Sequence, residues 1–163
     1  MPRRIPFQEN AHYHVYNRWL DKKTIFFEEK NYERFLYYCS LRQEKYKKSM
    51  KICAYCLLPN HFHFVIHNLQ VESTISNFIS KVTASYAKYL AAKYALPTGY
   101  SLFEGRFKAK LIDSEDYLNQ CISYVELNPL KHQIVERGED WLFTSYDQTK
   151  KQDEKVLGFD REF

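Results

Sequence analysis

The sequence predicts an α+β protein, and three observations lead to this class. Strand-like and helix-like segments alternate along the chain, and two strand-like segments flank a turn dipeptide, Pro59-Asn60. The chain has 163 residues, of which 45% are hydrophobic and 17% aromatic, so it is long enough to bury a substantial core. Four glycines and five prolines leave little room for linkers. We therefore expect one folded domain with an antiparallel strand pair.

The first two elements are predicted to be a strand and a long helix. Residues 12–19 (HYHVYNRW) have the composition of a strand. Residues 28–49 form a charged segment whose apolar residues recur near helical spacing, at positions 32, 35, 36, 39 and 46. The order strand, then helix, starts the α+β pattern.

The next two segments are predicted to pair as a hairpin. Residues 51–58 (KICAYCLL) and 61–68 (HFHFVIHN) are separated only by Pro59-Asn60. Because successive side chains of a strand point to opposite faces, the phenylalanines and histidines of the second strand separate. The core face is expected to carry Phe62, Phe64 and Ile66, and the other face His61, His63, Val65 and His67.

The histidine pair of this strand can hold a metal ion. Two imidazoles at positions i and i+2 of a rigid strand, His61 and His63, can offer nitrogens to one divalent cation. The alternative is that these histidines only form the polar face of a half-buried sheet. His12 and His14 repeat the spacing on the first strand, and we interpret them, like His67, as polar residues of the sheet unless they lie beside the metal.

A helix and a strand follow the hairpin. Residues 71–96 carry apolar side chains at helical spacing after Ser73-Thr74, which can cap a helix, and Pro97-Thr98-Gly99 ends the segment. Residues 102–112 (LFEGRFKAKLI) then alternate apolar and basic residues, which is typical of a strand with one solvated, cationic face.

The last helix is predicted over residues 113–127, and Asn128-Pro129 stops it because proline disfavours the helical conformation in the residue before it. Tyr124 and Asn128 are four residues apart and would share one face, where they offer a phenol and an amide oxygen. Because proline follows, the helical geometry of Asn128 stays open. The alternative for Tyr124 is that it only packs within the apolar stripe of the helix.

The charge distribution indicates a polyanionic partner. The net charge is only +4, but residues 81–110 carry six basic residues against the single acid Glu104. Aromatic residues are interleaved with these cations, a composition suited to stacking and phosphate contact with single-stranded nucleic acid. The alternative is that the aromatic residues belong to the core.

Four cysteines raise the question of a zinc site. Cys53 and Cys56 form a CxxC motif shortly before His61 and His63. In a regular strand, however, positions i and i+3 face opposite sides, and the sequence has no second CxxC motif. The sequence disfavours structural zinc.

The sequence contains no run of about 18 uncharged apolar residues, as a membrane span requires. Its first residues, MPRRIPFQENAHYH, lack the apolar block of a secretory signal. We expect a cytoplasmic protein that uses no membrane, with cysteines that are reduced and mostly buried.

Five motifs in order resemble the REP-associated tyrosine transposases of the HUH endonuclease superfamily, named for histidine, hydrophobic residue, histidine. They are HVYNR (14–18), LLPNHFHFVI (57–66), FEGRFKAKLI (103–112), YVELNPLKH (124–132) and WLFTSY (141–146). The resemblance runs from about residue 10 to 147, with order and spacing kept.

The resemblance implies a ferredoxin-like or RRM-like antiparallel sheet with helices packed on it. It matches His61 and His63 to the metal-binding histidines and Tyr124 to the nucleophile. Asn128 stands where related transposases commonly have glutamine as the third ligand. The expected cofactor is Mg²⁺ or Mn²⁺. Residues 1–147 would form the catalytic domain and residues 148–163 a C-terminal tail.

The implied reaction is cleavage and rejoining of single-stranded or hairpin DNA through a covalent 5′-phosphotyrosine, by a monomer or a homodimer. Arg106 is the favoured DNA contact because it lies in a matched motif. The full set of basic residues expected to bind DNA is Arg3, Arg4, Arg18, Arg106, Lys108 and Lys110.

Two other classes compete with this interpretation. One is a noncatalytic RRM-type module that binds single-stranded nucleic acid through exposed aromatic residues. The other is a metal-dependent phosphodiesterase in which water attacks the phosphate and Tyr124 plays no part.

Overall fold

A four-stranded antiparallel sheet forms the centre of the part of the chain that the computed structural model describes, residues 6–70, 74–97 and 101–146. The strands pair in the order β2-β3-β1-β4. Their bounds are β1 Ala11–Arg18, β2 Met50–Leu58, β3 His61–Asn68 and β4 Lys108–Ile112.

Helices connect and flank these strands. The two long ones are α1 Glu29–Tyr46, between β1 and β2, and α2 Thr74–Tyr94, between β3 and β4. After β4 come α3 Glu115–Glu126 and the short α4 Asn128–Lys131. The order βαββαβ up to β4 is that of a ferredoxin-like fold, so the predicted α+β class is confirmed. None of the helices among the described residues combines the length and the apolar character that crossing a membrane requires.

The two faces of the sheet are covered differently. On one face, α1 and α2 close the larger hydrophobic core, which includes Phe62, Phe64 and Ile66 of β3 as predicted. On the other face, α3 packs through Leu118, Cys121 and Val125. The alternating residue Val65 contacts this second, smaller core, so β3 divides its side chains between the faces as the two-residue period requires.

The strand predicted over residues 102–112 is shorter in the structure, and this part of the prediction was wrong. Only Lys108–Ile112 pairs with β1, whereas Phe103 forms an isolated bridge with Trp19. Between them, Gly105 has a φ of 72°, in the left-handed region that favours glycine. The chain therefore turns between the bridge and the strand.

The expected separation of Cys53 and Cys56 was also wrong. A β-bulge between Ile52 and Ala54 shifts the register of β2, and both cysteines belong to the smaller core under α3. Burial raises the pKa of the Cys53 thiol to about 11 and that of Cys56 to about 12. Both thiols therefore stay protonated near neutral pH.

The end of α3 is held against β2 by the segment that follows it. Thr144 Oγ1 donates to the carbonyl oxygen of Glu126 at 3.2 Å, and Ser145 Oγ donates to Glu126 Oε1 at 2.8 Å. Ser145 N also donates to the Tyr55 carbonyl of β2 at 2.9 Å. These buried bonds fix the helix end that carries Tyr124.

Asn128 is the first residue of a short helix. α3 ends at Glu126 and α4 begins at Asn128, with Pro129 in its first turn, where proline needs no helical partner for its nitrogen.

Several predicted features lie outside the described residues: Arg3, Arg4, Ser73, Thr98, Gly99 and the tail 148–163.

Candidate active site

His61 and His63 lie on the same face of β3, with ring centroids 5.1 Å apart. His63 is 7% exposed and His61 is half-buried. The neighbouring strand β1 presents His14 and Tyr16 on this face. His14 Nε2 is 2.9 Å from His63 Nδ1, and the Tyr16 ring stacks 5.7 Å from the His63 ring. The histidine pair therefore lies within a larger aromatic and imidazole cluster.

Tyr124 reaches this cluster from α3. Its ring centroid is 6.0 Å from that of His63 and 5.8 Å from that of His14. Its neighbours Cys121 and Val125 are buried against the sheet, whereas Tyr124 is 39% exposed. Tyr124 therefore does not only pack within the apolar stripe of the helix, which was the alternative for this residue. The structure places the phenol beside His63 and within reach of solvent.

An open cavity of about 650 Å³ adjoins the phenol. Lys131 lies over the Tyr124 ring, with Nζ 4.1 Å from the centroid. Across the cavity, Lys110 of β4 lies 5.3 Å from the ring centroid of Tyr117. The lining residues are His14, Tyr16, His63, Lys110, Tyr117, Gln120, Cys121, Tyr124 and Lys131. The cavity thus combines aromatic faces with two cations, a chemistry that suits a nucleotide.

The imidazoles of the cluster are held neutral. Burial lowers the pKa of His61 to about 4, helped by the nearby His132 and Arg18. Burial lowers the pKa of His14 to about 4 as well, and that of His63 lies well below its ordinary value. A neutral imidazole has the free lone pair that a metal ligand needs.

Asn128 supplies an amide oxygen that fits a cation. The side chain is buried, and its Nδ2 donates to the carbonyl oxygen of Tyr124 at 3.1 Å. Its Oδ1 is buried without a hydrogen-bond partner among the described residues. A buried oxygen of this kind is unfavourable unless it is satisfied, and amide oxygens are ordinary ligands of hard divalent cations. No hydrogen bond within the described residues joins Asn128 to His61 or His63.

In the ranges that the structure describes, no three His, Cys, Asp or Glu side chains are grouped so that they could hold a metal. The candidate ligand set differs from such a group because its third ligand is the amide oxygen of Asn128.

The predicted DNA-binding residues do not all lie at this site. Lys108 and Lys110 pair with Tyr16 and His14 in the β1–β4 register, so they lie on the edge strand beside the cavity. Arg18 pairs opposite His61 and makes a bidentate ion pair with Glu104.

Arg106, the favoured DNA contact, lies elsewhere. It lines a separate cavity of about 630 Å³ together with Ser80 and Thr83 of α2. Arg3 and Arg4 are outside the described residues.

Sequence reasoning missed three residues of this cluster. His14 was interpreted as a polar sheet residue unless it lay beside the metal, and it contacts His63, a candidate metal ligand, directly. Lys131 and His132 stand in the YVELNPLKH motif but received no role, and they lie against Tyr124 and His61 respectively. The available signal was proximity in the sequence: Lys131 and His132 follow Tyr124 within the same motif. The contact of His14 depends on the register between β1 and β3, which cannot be read from the sequence of either strand.

The family model for IS200-like transposases matches residues 7–128. This chain belongs to the IS200-like transposase family. The matched range includes His61, His63, Tyr124 and Asn128. The resemblance noted from the sequence motifs is thereby confirmed. No curated protein matches the sequence significantly.

One solved structure supports the fold of this chain. The structure of a REP-associated tyrosine transposase bound to a REP hairpin is similar over 93% of this chain and 86% of that chain, with a TM-score of 0.73 and 15% identity. A putative transposase from Deinococcus radiodurans R1 is 14% identical over 77% of this chain and 96% of that chain, with a TM-score of 0.48. The second likeness is too distant to support an argument.

Proposed function

We propose that this IS200-like transposase cleaves and rejoins single-stranded DNA at hairpin-type sites, with Tyr124 as the nucleophile. The observation that carries the proposal is the 39% exposed phenol of Tyr124 beside the neutral imidazole of His63, at a centroid distance of 6.0 Å. Family membership supports the class of reaction. The hairpin bound to the similar REP-associated transposase supports the class of DNA.

His61, His63 and the buried amide oxygen of Asn128 would hold the divalent cation, Mg²⁺ or Mn²⁺. When bound, such a cation polarises the scissile phosphate and stabilises the negative charge that develops in the transfer. The unpartnered Asn128 Oδ1 and the low pKa of the two imidazoles support this ligand set.

Tyr124 would perform the transfer itself. Its phenolic oxygen attacks phosphorus, the bond between phosphorus and the 3′ oxygen breaks, and a 5′-phosphotyrosine and a free 3′-hydroxyl result. The phenolic proton is lost and the departing 3′ oxygen gains one. Lys131 lies close enough to the ring to stabilise negative charge on the phenolate or the phosphate. Attack by a 3′-hydroxyl on the phosphotyrosine reverses the step, so rejoining needs no external energy source.

The DNA strand would follow the cationic edge of the sheet. Lys110 lines the cavity from β4, and Lys108 lies two residues before it on the same strand. Their contacts would go to phosphates, which position the strand without reading its sequence. Arg18, which is exposed and opposite His61, would extend this path past the histidines.

A noncatalytic RRM-type module is less well supported. Such modules stack bases on an uncovered sheet face, whereas α3 packs on that face here. Aromatic residues of the basic stretch, such as Tyr86 and Phe103, belong to the other core. Tyr86 also donates its hydroxyl to the Ile25 carbonyl at 2.6 Å. These side chains are not available to stack on nucleic acid.

The decisive experiment detects the covalent intermediate. Labelled hairpin DNA with single-stranded flanks is incubated with the full chain and Mn²⁺, and the products are separated on denaturing protein gels. We expect a DNA–protein adduct that disappears in Tyr124→Phe and persists in Tyr37→Phe, a matched control at an exposed tyrosine of α1. Cleavage without an adduct would favour hydrolysis by water. Tight binding without cleavage would favour the noncatalytic module.

A further inference from the structure

Each histidine of the pair uses one ring nitrogen in a contact with the protein. His61 Nδ1 lies 2.6 Å from Asn60 Oδ1. His63 Nδ1 lies 2.9 Å from His14 Nε2. In the described part of the chain, no hydrogen bond engages the Nε2 atom of either ring. The same nitrogen is therefore left open on both histidines.

The orientation of the Asn60 amide decides the tautomer of His61. Asn60 Nδ2 donates to the Lys22 carbonyl at 3.1 Å, so Oδ1 is the atom that faces the imidazole. An amide oxygen can only accept a hydrogen bond. The proton of neutral His61 must therefore be on Nδ1, which leaves the lone pair on Nε2.

His14 can impose the same tautomer on His63. The two ring nitrogens lie 2.9 Å apart, so one of them donates and the other accepts. The rings lie nearly parallel, at 21°, and the His63 side chain is buried, so the contact is held in place by packing. When His14 Nε2 accepts, His63 Nδ1 carries the proton and His63 Nε2 is free.

We propose that Asn60 and His14 are positioning residues that hold His61 and His63 in the Nδ1-protonated tautomer, so that both Nε2 lone pairs are available to one divalent cation. This inference rests on the proposed function only in taking the histidine pair as the cation site. Metal-binding histidines commonly donate their second ring N–H to a neighbouring acceptor, and loss of such partners typically weakens metal binding about 10- to 100-fold.

The chain offers a matched pair of variants at each position. Asn60→Ala and Asn60→Asp both lose the bond to the Lys22 carbonyl, but only Asn60→Ala loses the acceptor for His61 Nδ1. His14→Phe keeps a ring in the sheet and loses the acceptor, whereas His14→Gln keeps an amide that can accept. Within each pair, the difference isolates the hydrogen bond from the packing.

The first test measures the tautomers without any metal or DNA. Ring nitrogen NMR on the metal-free full chain, near neutral pH, distinguishes a protonated from an unprotonated imidazole nitrogen. We expect protonated Nδ1 and unprotonated Nε2 at both His61 and His63. A wild-type chain with the proton on Nε2 at either histidine overturns the proposal at that residue.

The second test measures Mn²⁺ binding in the absence of DNA, by the spin-resonance signal of free Mn²⁺. We expect affinity to fall about 10- to 100-fold in Asn60→Ala and in His14→Phe, and to stay within a few-fold of wild type or rise in Asn60→Asp and His14→Gln. Unfolding curves confirm that each variant is folded. Wild-type affinity in folded Asn60→Ala and His14→Phe overturns the proposal, as does a wild-type chain that binds no Mn²⁺.

The two proposals fail separately. A chain with the expected tautomers and variant-sensitive Mn²⁺ binding that forms no DNA adduct would contradict the transposition chemistry and leave the positioning roles intact. Adduct formation, together with a Mn²⁺ affinity that is the same in all four variants, would support the transposition chemistry and contradict the positioning roles.

Discussion

The two faces of the sheet take side chains from the same strands but differ in what those side chains do. The face under α1 and α2 is closed by aromatic residues such as Phe35, Phe62 and Phe64, all with no exposed surface. The face under α3 is covered by a smaller core only in part. Beyond that core, His63 and Tyr124 meet at an open cavity.

Alternate residues of β3 therefore have different roles, since one set fills the larger core and the other faces the candidate active site. Phe62 and Phe64 point into the larger core, while His61 and His63 point to the cavity side. Neighbouring residues should therefore give opposite phenotypes on substitution. A loss of activity with stability retained is expected on one face, and a loss of stability with activity per folded molecule retained is expected on the other.

The strongest contrast is expected from the histidine pair. In His61→Ala/His63→Ala, metal-dependent nicking should fall by about 1,000-fold or to background, because the proposed cation would contribute several kcal/mol to the transition state. Binding to the same labelled hairpin, measured by gel shift, should remain largely intact because the basic edge of the sheet is unchanged.

The matched control for that variant is His67→Ala, which removes an imidazole from the same strand and face but from the other end, where it bonds to Asn10. Its nicking rate should stay close to wild type. Nicking by the double variant at the wild-type rate would remove the metal site from the mechanism.

The second prediction concerns the opposite face. Phe64→Ala should lower the free energy of unfolding by about 3–5 kcal/mol, because it leaves a cavity in the larger core among Phe62, Phe78 and Tyr55. Urea denaturation measures this change. The adduct yield per folded molecule should be that of wild type, and a specific loss of chemistry in a fully folded Phe64→Ala chain would contradict the division between the faces.

This division could largely be predicted from the sequence, because alternation in residues 61–68 is a local property. The neighbours across the sheet could not. His14 meets His63 only because β1 pairs with β3 in one register, with Tyr16 opposite His63. Such pairing is set by the whole core and not by the composition of either strand.

Two other failures have local causes that composition does not reveal. The bulge at Ile52 and Ala54 brings Cys53 and Cys56 to the same face, against the expectation from a regular strand. The turn at Gly105 sends Arg106 to the cavity beside α2, whereas Lys108 and Lys110 reach the tyrosine side. A single inserted residue, or one turn, changes the side of the sheet on which the following side chains lie.

A third prediction tests which side of the sheet the DNA follows. Lys110→Ala should reduce the slope of log affinity against log salt by about 0.7, the change for one phosphate contact on a single strand. Titrations of labelled single-stranded DNA at several salt concentrations measure this slope. Lys45→Ala, which removes an exposed lysine of α1, should leave it unchanged.

The same titration on Arg106→Ala decides between the two cavities. A larger decrease in slope for Arg106→Ala than for Lys110→Ala would place the strand along α2 and would argue against the path proposed over β4.

The smallest effect is expected on the pH dependence of stability, and it comes from the end of the histidine-bearing face that lies far from Tyr124. There His12 stacks on His67 at 4.1 Å, and burial, with smaller contributions from His67 and Lys51, lowers the pKa of His12 from 6.5 to about 4. As pH falls below 6.5, the unfolded chain takes up this proton before the folded chain does. The contribution of neutral His12 to stability is therefore present above pH 6.5 and is lost as pH falls towards about 4.

His12→Asn removes this titration, so its free energy of unfolding should fall less steeply than that of wild type between those two pH values. Urea denaturation at a series of pH values gives both curves. Because His14, His61 and His63 also have lowered pKa values, the variant should keep most of the acid sensitivity. Parallel curves would show that His12 is as easily protonated in the folded chain as in the unfolded one.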